Sequence, residues 1–165
     1  MKRHPVKSGK NVFEYRLTDA GEELRPIIIA MGTWGQRWVD SQLSLRNLDP
    51  SLLMWDMRRN LNPAPLPNQR VVIQFRYHGL PKSKTDWWLV VEPDGEVDLC
   101  WSEPGFEVDQ FVTTDLRTMT AVWMGLQTVR DSGKSIKFDG SRKLQRSMQT
   151  WLGLSPFAAE NNQLL

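Results

Sequence analysis

The first patterned stretch of the chain alternates. Phe13, Tyr15 and Leu17 fall on one side of an extended segment from Val12 to Leu17, with Glu14 and Arg16 on the other. Ser8-Gly9-Lys10-Asn11 before it is turn chemistry. The period then changes. Leu24, Ile28, Met31 and Trp38 recur at helical spacing, and Ile27 and Trp34 widen the stripe. This predicts a helix from Asp19 to about Ser41, capped by Thr18, with Asp19, Glu22 and Glu23 where the helix dipole favours carboxylates. Pro26 should bend it, because its ring removes one backbone hydrogen bond. The stripe is wider than a small hairpin covers. Either it packs on the downstream domain, or it pairs with its own copy in a dimer through Leu24, Ile28, Met31, Trp34 and Trp38.

Residues 42–48 read as a linker. Asp49-Pro50 then opens a second helix, cap followed by a first-turn proline, with Leu53, Met57 and Leu61 at spacing of four. Alternating prolines at Pro63, Pro65 and Pro67 end it. The next stretch reads as a β-meander. Val71, Ile73, Phe75 and Tyr77 alternate with Val72, Gln74 and Arg76. Trp87 to Val91 is continuously apolar, as in a strand covered on both faces. Pro93-Asp94-Gly95 is a hairpin turn; Val97, Leu99 and Trp101 alternate again; Val108 to Thr113 is a fourth strand. A helix capped at Thr114 or Asp115 comes next, with a second short helical stretch to Arg130. A last strand spans Lys134 to Asp139, and a final helix capped by Ser141 carries Leu144, Met148, Trp151 and Leu152. The fold class expected is α+β: an antiparallel or mostly antiparallel sheet of about five strands, covered by helices on one face. The organisation is 1–41 hairpin strand and helix, 42–48 linker, 49–157 the α+β domain and 158–165 a frayed tail.

Charge and composition change this picture little. At 165 residues and net charge +2, the chain holds one ordinary domain with a short extra element, and no partner follows from the total. Placement is more informative: Lys2, Arg3, Lys7 and Lys10 crowd the start without an acidic residue. They are a solvated run or an arm for phosphates. Cys100 is the only cysteine, and with just His4 and His78 beside it in the inventory, no metal site or disulfide is expected. No secretory signal or apolar membrane span is evident, so the chain reads as cytoplasmic. No nucleophile motif, phosphate loop or dinucleotide fingerprint is present, so no catalytic residues, no cofactor and no enzyme activity are expected.

Apolar chemistry remains. Met119, Trp123, Met124 and Met148 lie on helices expected to cover the sheet, Trp88 and Trp101 on strands, and Phe106 and Phe111 around the fourth strand. Thioethers and aromatic rings line adaptable apolar sites. The same eight residues also describe a plain core, and the pattern leaves both open.

Two resemblances bear on the choice. Phe13-Glu14-Tyr15-Arg16-Leu17-Thr18-Asp19-Ala20-Gly21-Glu22-Glu23-Leu24, with Pro26 and Trp34 after it, resembles the wing and following helix of HxlR-type winged-helix transcription regulators. The resemblance implies DNA contact by the wing, which by position falls to Arg3, Lys7, Ser8, Gly9 and Lys10. The recognition helix is expected in upstream helices that this sequence lacks, so DNA is a partner only together with them. From about Asp49 to Phe157 the chain is similar to sterol carrier protein-like lipid-binding domains, through the Trp88-to-Trp101 strands, the helix after Asp115 and Gly133-Lys134-Ser135-Ile136-Lys137-Phe138-Asp139-Gly140 with the helix after it. That segment has one residue more than the family pattern. The resemblance implies an apolar cavity for a fatty acyl or sterol-like molecule. Together they imply the ligand-sensing, homodimerising portion of a bacterial regulator, present as a fragment, a product with a misplaced start or a natural short form. The alternative is a free-standing lipid carrier without DNA binding.

Overall fold

The computed structural model describes residues 2–5, 13–39, 45–46 and 48–160. The chain divides into two units, 1–39 with 160–165, and 40–159.

In the first unit β1 (Lys2–Pro5) pairs antiparallel with β2 (Phe13–Arg16), setting Arg3 opposite Tyr15. β1 is absent from the sequence-based expectation, because four residues containing His4 and Pro5 show no alternation. Its pairing completes the hairpin. The predicted turn at 8–11 lies outside the described residues. Helix α1 (Asp19–Trp38) starts where expected: the Thr18 hydroxyl accepts from Gly21 N at 3.3 Å. It ends at Trp38 with Val39 as its C-cap, slightly before the expected Ser41, and keeps Pro26 inside it. Among its described residues none is buried.

The second unit is α+β. Its sheet has the order β5-β4-β3-β6-β7. These strands are β3 (Val71–His78), β4 (Asp86–Val91), β5 (Val97–Cys100), β6 (Gln110–Asp115) and β7 (Lys137–Gly140). β3, β4 and β5 form the antiparallel meander read from the sequence. The fourth strand departs from it. β6 lies beyond β3 and runs parallel to it, Phe75 opposite Val112, while β7 pairs antiparallel with β6. A parallel neighbour needs a crossover, and residues 101–109 supply it. Asp109 sets the register, accepting Val72 N on its carboxylate at 2.8 Å and donating its own N–H to Val72 O at 2.9 Å.

Helices α2 (Pro50–Asn60), α3 (Leu116–Trp123) and α4 (Arg142–Trp151) contribute to one core with the sheet. Each has its anticipated cap. Asp49 accepts from Ser51 N and Leu52 N, Asp115 from Thr118 N, and Ser141 from Leu144 N. The second helical stretch expected before Arg130 is a run of turns instead, followed by a short 3-10 turn at Gly133–Ser135. Leu45, in the stretch read as linker, is buried, and its carbonyl accepts from Arg117 at 3.0 Å.

Val71, Ile73, Phe75 and Tyr77 of β3, Leu89 and Val91 of β4 and Val112 of β6 meet Met54, Met57, Met119, Met148 and Trp151 from the helices. Trp151 stands edge-on to Phe75, centroids 6.5 Å apart, and its Nε1 donates to Leu144 O. Val72, Trp88 and Val90 form a second cluster on the opposite face, covered by Cys100 and Val108. The crossover therefore explains why the Trp87–Val91 run is apolar throughout.

Where α4 ends, Gly153 has φ +59° and lies against the end of α2; a Cβ there would fall 1.5 Å from Asn60 O. Gly153→Ala should therefore lower stability by about 3 kcal/mol or more. Gly79→Ala, left-handed but in open space, should cost only about 1 kcal/mol. Urea unfolding of the two variants checks the contrast.

Candidate functional site

Helix α2 presents two apolar sides. Leu53, Met54 and Met57 enter the core. Leu52 and Trp55, three residues apart, remain exposed on the other side. They form one wall of an open cleft of about 630 Å³ whose lining is Ser51, Leu52, Trp55, Ser83, Lys84, Trp87, Leu99 and Trp101. Trp87 is the second residue of β4, Leu99 lies on the edge strand β5 opposite Leu89, and Trp101 lies just beyond β5. The cleft opens at this edge of the sheet.

Its parts are held in place by polar bonds. Trp87 Nε1 donates to Lys84 O at 2.9 Å. Arg58 Nε donates to Val97 O at 2.7 Å, tying α2 to β5. The guanidinium carbons of Arg58 and Arg59 each lie 5.2 Å from the centre of the Trp55 ring, a cation–π arrangement. Lys84 Nζ pairs with Asp49 Oδ2 at 3.0 Å. That bond first, and those from Ser51 next, hold the Asp49 carboxyl at about 2, below its ordinary 3.8.

The lining of the cleft is mostly apolar. Lys84 is paired, the remaining polar side chains in the lining are two serines, and neither His nor Cys is among them. Among the described residues no three His, Cys, Asp or Glu side chains cluster as metal ligands. Cys100 lies on β5, its thiol pKa raised by burial and then by Asp98.

The eight residues expected to line one cavity lie in several different settings. Met119 and Met148 are fully buried in the core with Phe75 and Trp151. A side chain with no accessible surface borders no void able to hold a water molecule, so these thioethers fill the space between helices and sheet. Trp123 packs partly buried against the same core, and Met124 caps α3. Trp88 belongs to the opposite face. Phe106 lies under the Arg70 guanidinium, 4.1 Å from its ring centre, and Phe111 is exposed. Trp101 alone of the eight lines the α2–β5 cleft. Leu52, Trp55, Trp87 and Leu99 were missed as site residues. The available signal was the apolar pair Leu52 and Trp55 on the helix side opposite Leu53 and Met57, together with the Leu99–Trp101 alternation.

In the first unit the expected interface residues are all exposed: Leu24 55%, Ile28 60%, Met31 64%, Trp34 61% and Trp38 51%. Ile27, Ala30, Met31, Trp34 and Gly35 line a shallow apolar groove of about 540 Å³. Arg3 lies on β1, and Lys7, Ser8, Gly9 and Lys10 fall outside the described residues. No helix of the described residues is long and apolar enough to cross a membrane.

Residues 1–43 match the sequence profile of the HxlR-like helix-turn-helix family. No curated protein sequence matches the chain. Among solved structures it is similar to the stereoselective inverting sec-alkylsulfatase Pisa1 of Pseudomonas sp., with TM-score 0.52 and 17% identity over 67% of this chain. The chain spans only 17% of that enzyme, and the likeness concerns the fold alone. Sterol carrier protein 2-like 2 of Aedes aegypti matches at TM-score 0.43 and 18% identity, over 60% of this chain and 92% of that one. Apo sterol carrier protein 2 of Yarrowia lipolytica matches at 0.43 and 16%, over 70% and 98%.

A carboxyl whose folded pKa is depressed stabilises the fold above its unfolded value, and that stability is lost as pH falls through the folded one. For Asp49 the window runs from 3.8 down to about 2. Asp49→Asn should flatten the acid dependence of the denaturant midpoint across that window relative to the parent chain. Midpoints measured at its two ends check it.

Proposed function

We propose that this chain is the ligand-binding and dimerising portion of a transcription regulator, whose apolar small-molecule ligand occupies the cleft between α2 and the β5 edge. One conjunction carries the reading: an HxlR-like hairpin and helix continue in the same chain into an α+β unit that opens an aromatic cleft without catalytic groups. The sequence resemblance to lipid-binding domains supports a fatty acyl or sterol-like ligand. A body of that kind buries apolar area against Leu52, Trp55, Leu99 and Trp101, surfaces otherwise in contact with water. The reading is of binding without chemistry, and a lining of apolar side chains, two serines and a paired lysine supports it. The setting would be the cytoplasm.

The partner for α1 is a second copy. Leu24, Ile27, Ile28, Met31, Trp34 and Trp38 form a long exposed apolar stripe, larger than isolated chains usually leave to water. A symmetric pairing of two such stripes is self-complementary. Regulation then requires the ligand to bind one arrangement of the paired chains more tightly than another, because only a difference in affinity shifts the population.

Native mass spectrometry of the chain purified from cells should reveal a retained apolar molecule, and an uncharged fluorescent sterol should bind with a one-to-one endpoint per chain. Trp55→Ala and Leu52→Lys should each weaken that binding about tenfold or more. Unchanged affinity in both variants would remove the cleft from consideration.

Sedimentation equilibrium should give a dimer that Ile28→Glu with Met31→Glu converts to monomer. A parent chain that sediments as a monomer at the same concentrations would refute the pairing.

A further inference from the structure

At the other edge of the sheet, β7 and α4 enclose a second recess, of about 680 Å³. Its apolar lining comes from Val129, Ile136 and Phe138, and its guanidiniums from Arg130 and Arg146. The amides of Gln145 and Gln149 and the side chain of Thr128 complete the polar side. Gln149 Oε1 accepts Val129 N at 2.7 Å, which orients that amide and leaves its NH₂ group to donate. No carboxylate lines the recess.

The surroundings are cationic. From Arg130 to Arg146 the sequence holds Arg130, Lys134, Lys137, Arg142, Lys143 and Arg146 against Asp131 and Asp139. Among the described residues none of these six forms an ion pair. Asp131 lies at the margin of the recess, where its Oδ2 accepts the hydroxyl of the lining residue Thr128 at 2.6 Å and Thr128 N at 3.2 Å, and it adds a negative charge beside Arg130. Asp139 alternates with Phe138 along β7 and so faces away from the recess.

We propose that this recess binds an amphipathic anion, its carboxylate or phosphate head held between Arg130 and Arg146 and its apolar body resting on Ile136 and Phe138. The fork of a guanidinium matches either head in paired hydrogen bonds. The amides of Gln145 and Gln149 supply further donors, and the apolar floor selects against a free inorganic ion. A nucleic-acid backbone fits less well. It is met by cations along an outer surface, whereas these two arginines flank a hollow with an apolar floor. The site is separate from the α2–β5 cleft and stands whether or not that cleft is occupied.

Titration of the full chain with octyl phosphate, octanoate, octanol and inorganic phosphate, followed by amide NMR, tests the proposal. The two amphipathic anions should shift the Val129 amide and the Gln145 and Gln149 side-chain signals, while octanol and inorganic phosphate should bind at least about tenfold more weakly. Arg130→Gln with Arg146→Gln should weaken octyl phosphate about tenfold or more and leave octanol and the thermal midpoint unchanged. Trp55→Ala should leave the Val129 shift intact, which separates this site from the cleft. Equal binding of octanol and octyl phosphate, or undiminished binding by the double variant, would overturn it. So would duplex DNA shifting these signals when octyl phosphate does not, which would make the region a polyanion surface.

Discussion

The second unit depends on the placement of β3. It hydrogen-bonds to β4 on one side and β6 on the other, and it is buried on both faces for most of its length. Its inward row Val71, Ile73, Phe75 and Tyr77 is the surface on which three helices assemble, and Trp151 against Phe75 seats the last of them. Its outward row begins with Val72 and Gln74, where the crossover segment and Asp86 supply cover and hydrogen bonds. A strand in this position cannot slip by one residue, since every side chain would exchange faces.

Two clefts result from that arrangement. Helices packed on the middle of a sheet leave its edges less covered, and here the edge strands β5 and β7 each border a hollow. The chemistry of the two differs because the neighbouring elements differ. Beside β5 stand Trp55 and Leu52, with Lys84 neutralised by Asp49. Beside β7 stand Arg130 and Arg146, neither in an ion pair among the described residues. The middle of the sandwich is filled by Met57, Met119 and Met148, unbranched side chains that suit irregular gaps. The open hollows accordingly lie at the rims of the sheet and not at its centre, where the residue types suggested one.

The first unit obeys a different rule. α1 has strong local determinants, including the Thr18 cap, and yet no buried residue among those described. An exposed apolar stripe of this length is what the proposed pairing of two copies would cover.

Local physics made much of this legible in the sequence. The caps at Thr18, Asp49, Asp115 and Ser141, the alternation of β3, the hairpin at Gly95 with φ +88° and the inward residues of α4 all depend on neighbours within a few positions. Such signals survive in a linear pattern. Three features did not. β1 is too short and too polar to show a period, and needs β2 to become a strand. The parallel seat of β6 is a choice between sheet edges, which no strand encodes alone. Whether Met119 and Met148 wall a cavity or plug it depends on how closely helices approach the sheet, and composition is the same in both cases. Only the tertiary structure decided these, because each concerns the distance between segments remote in the chain, and residue periodicity carries direction but not distance.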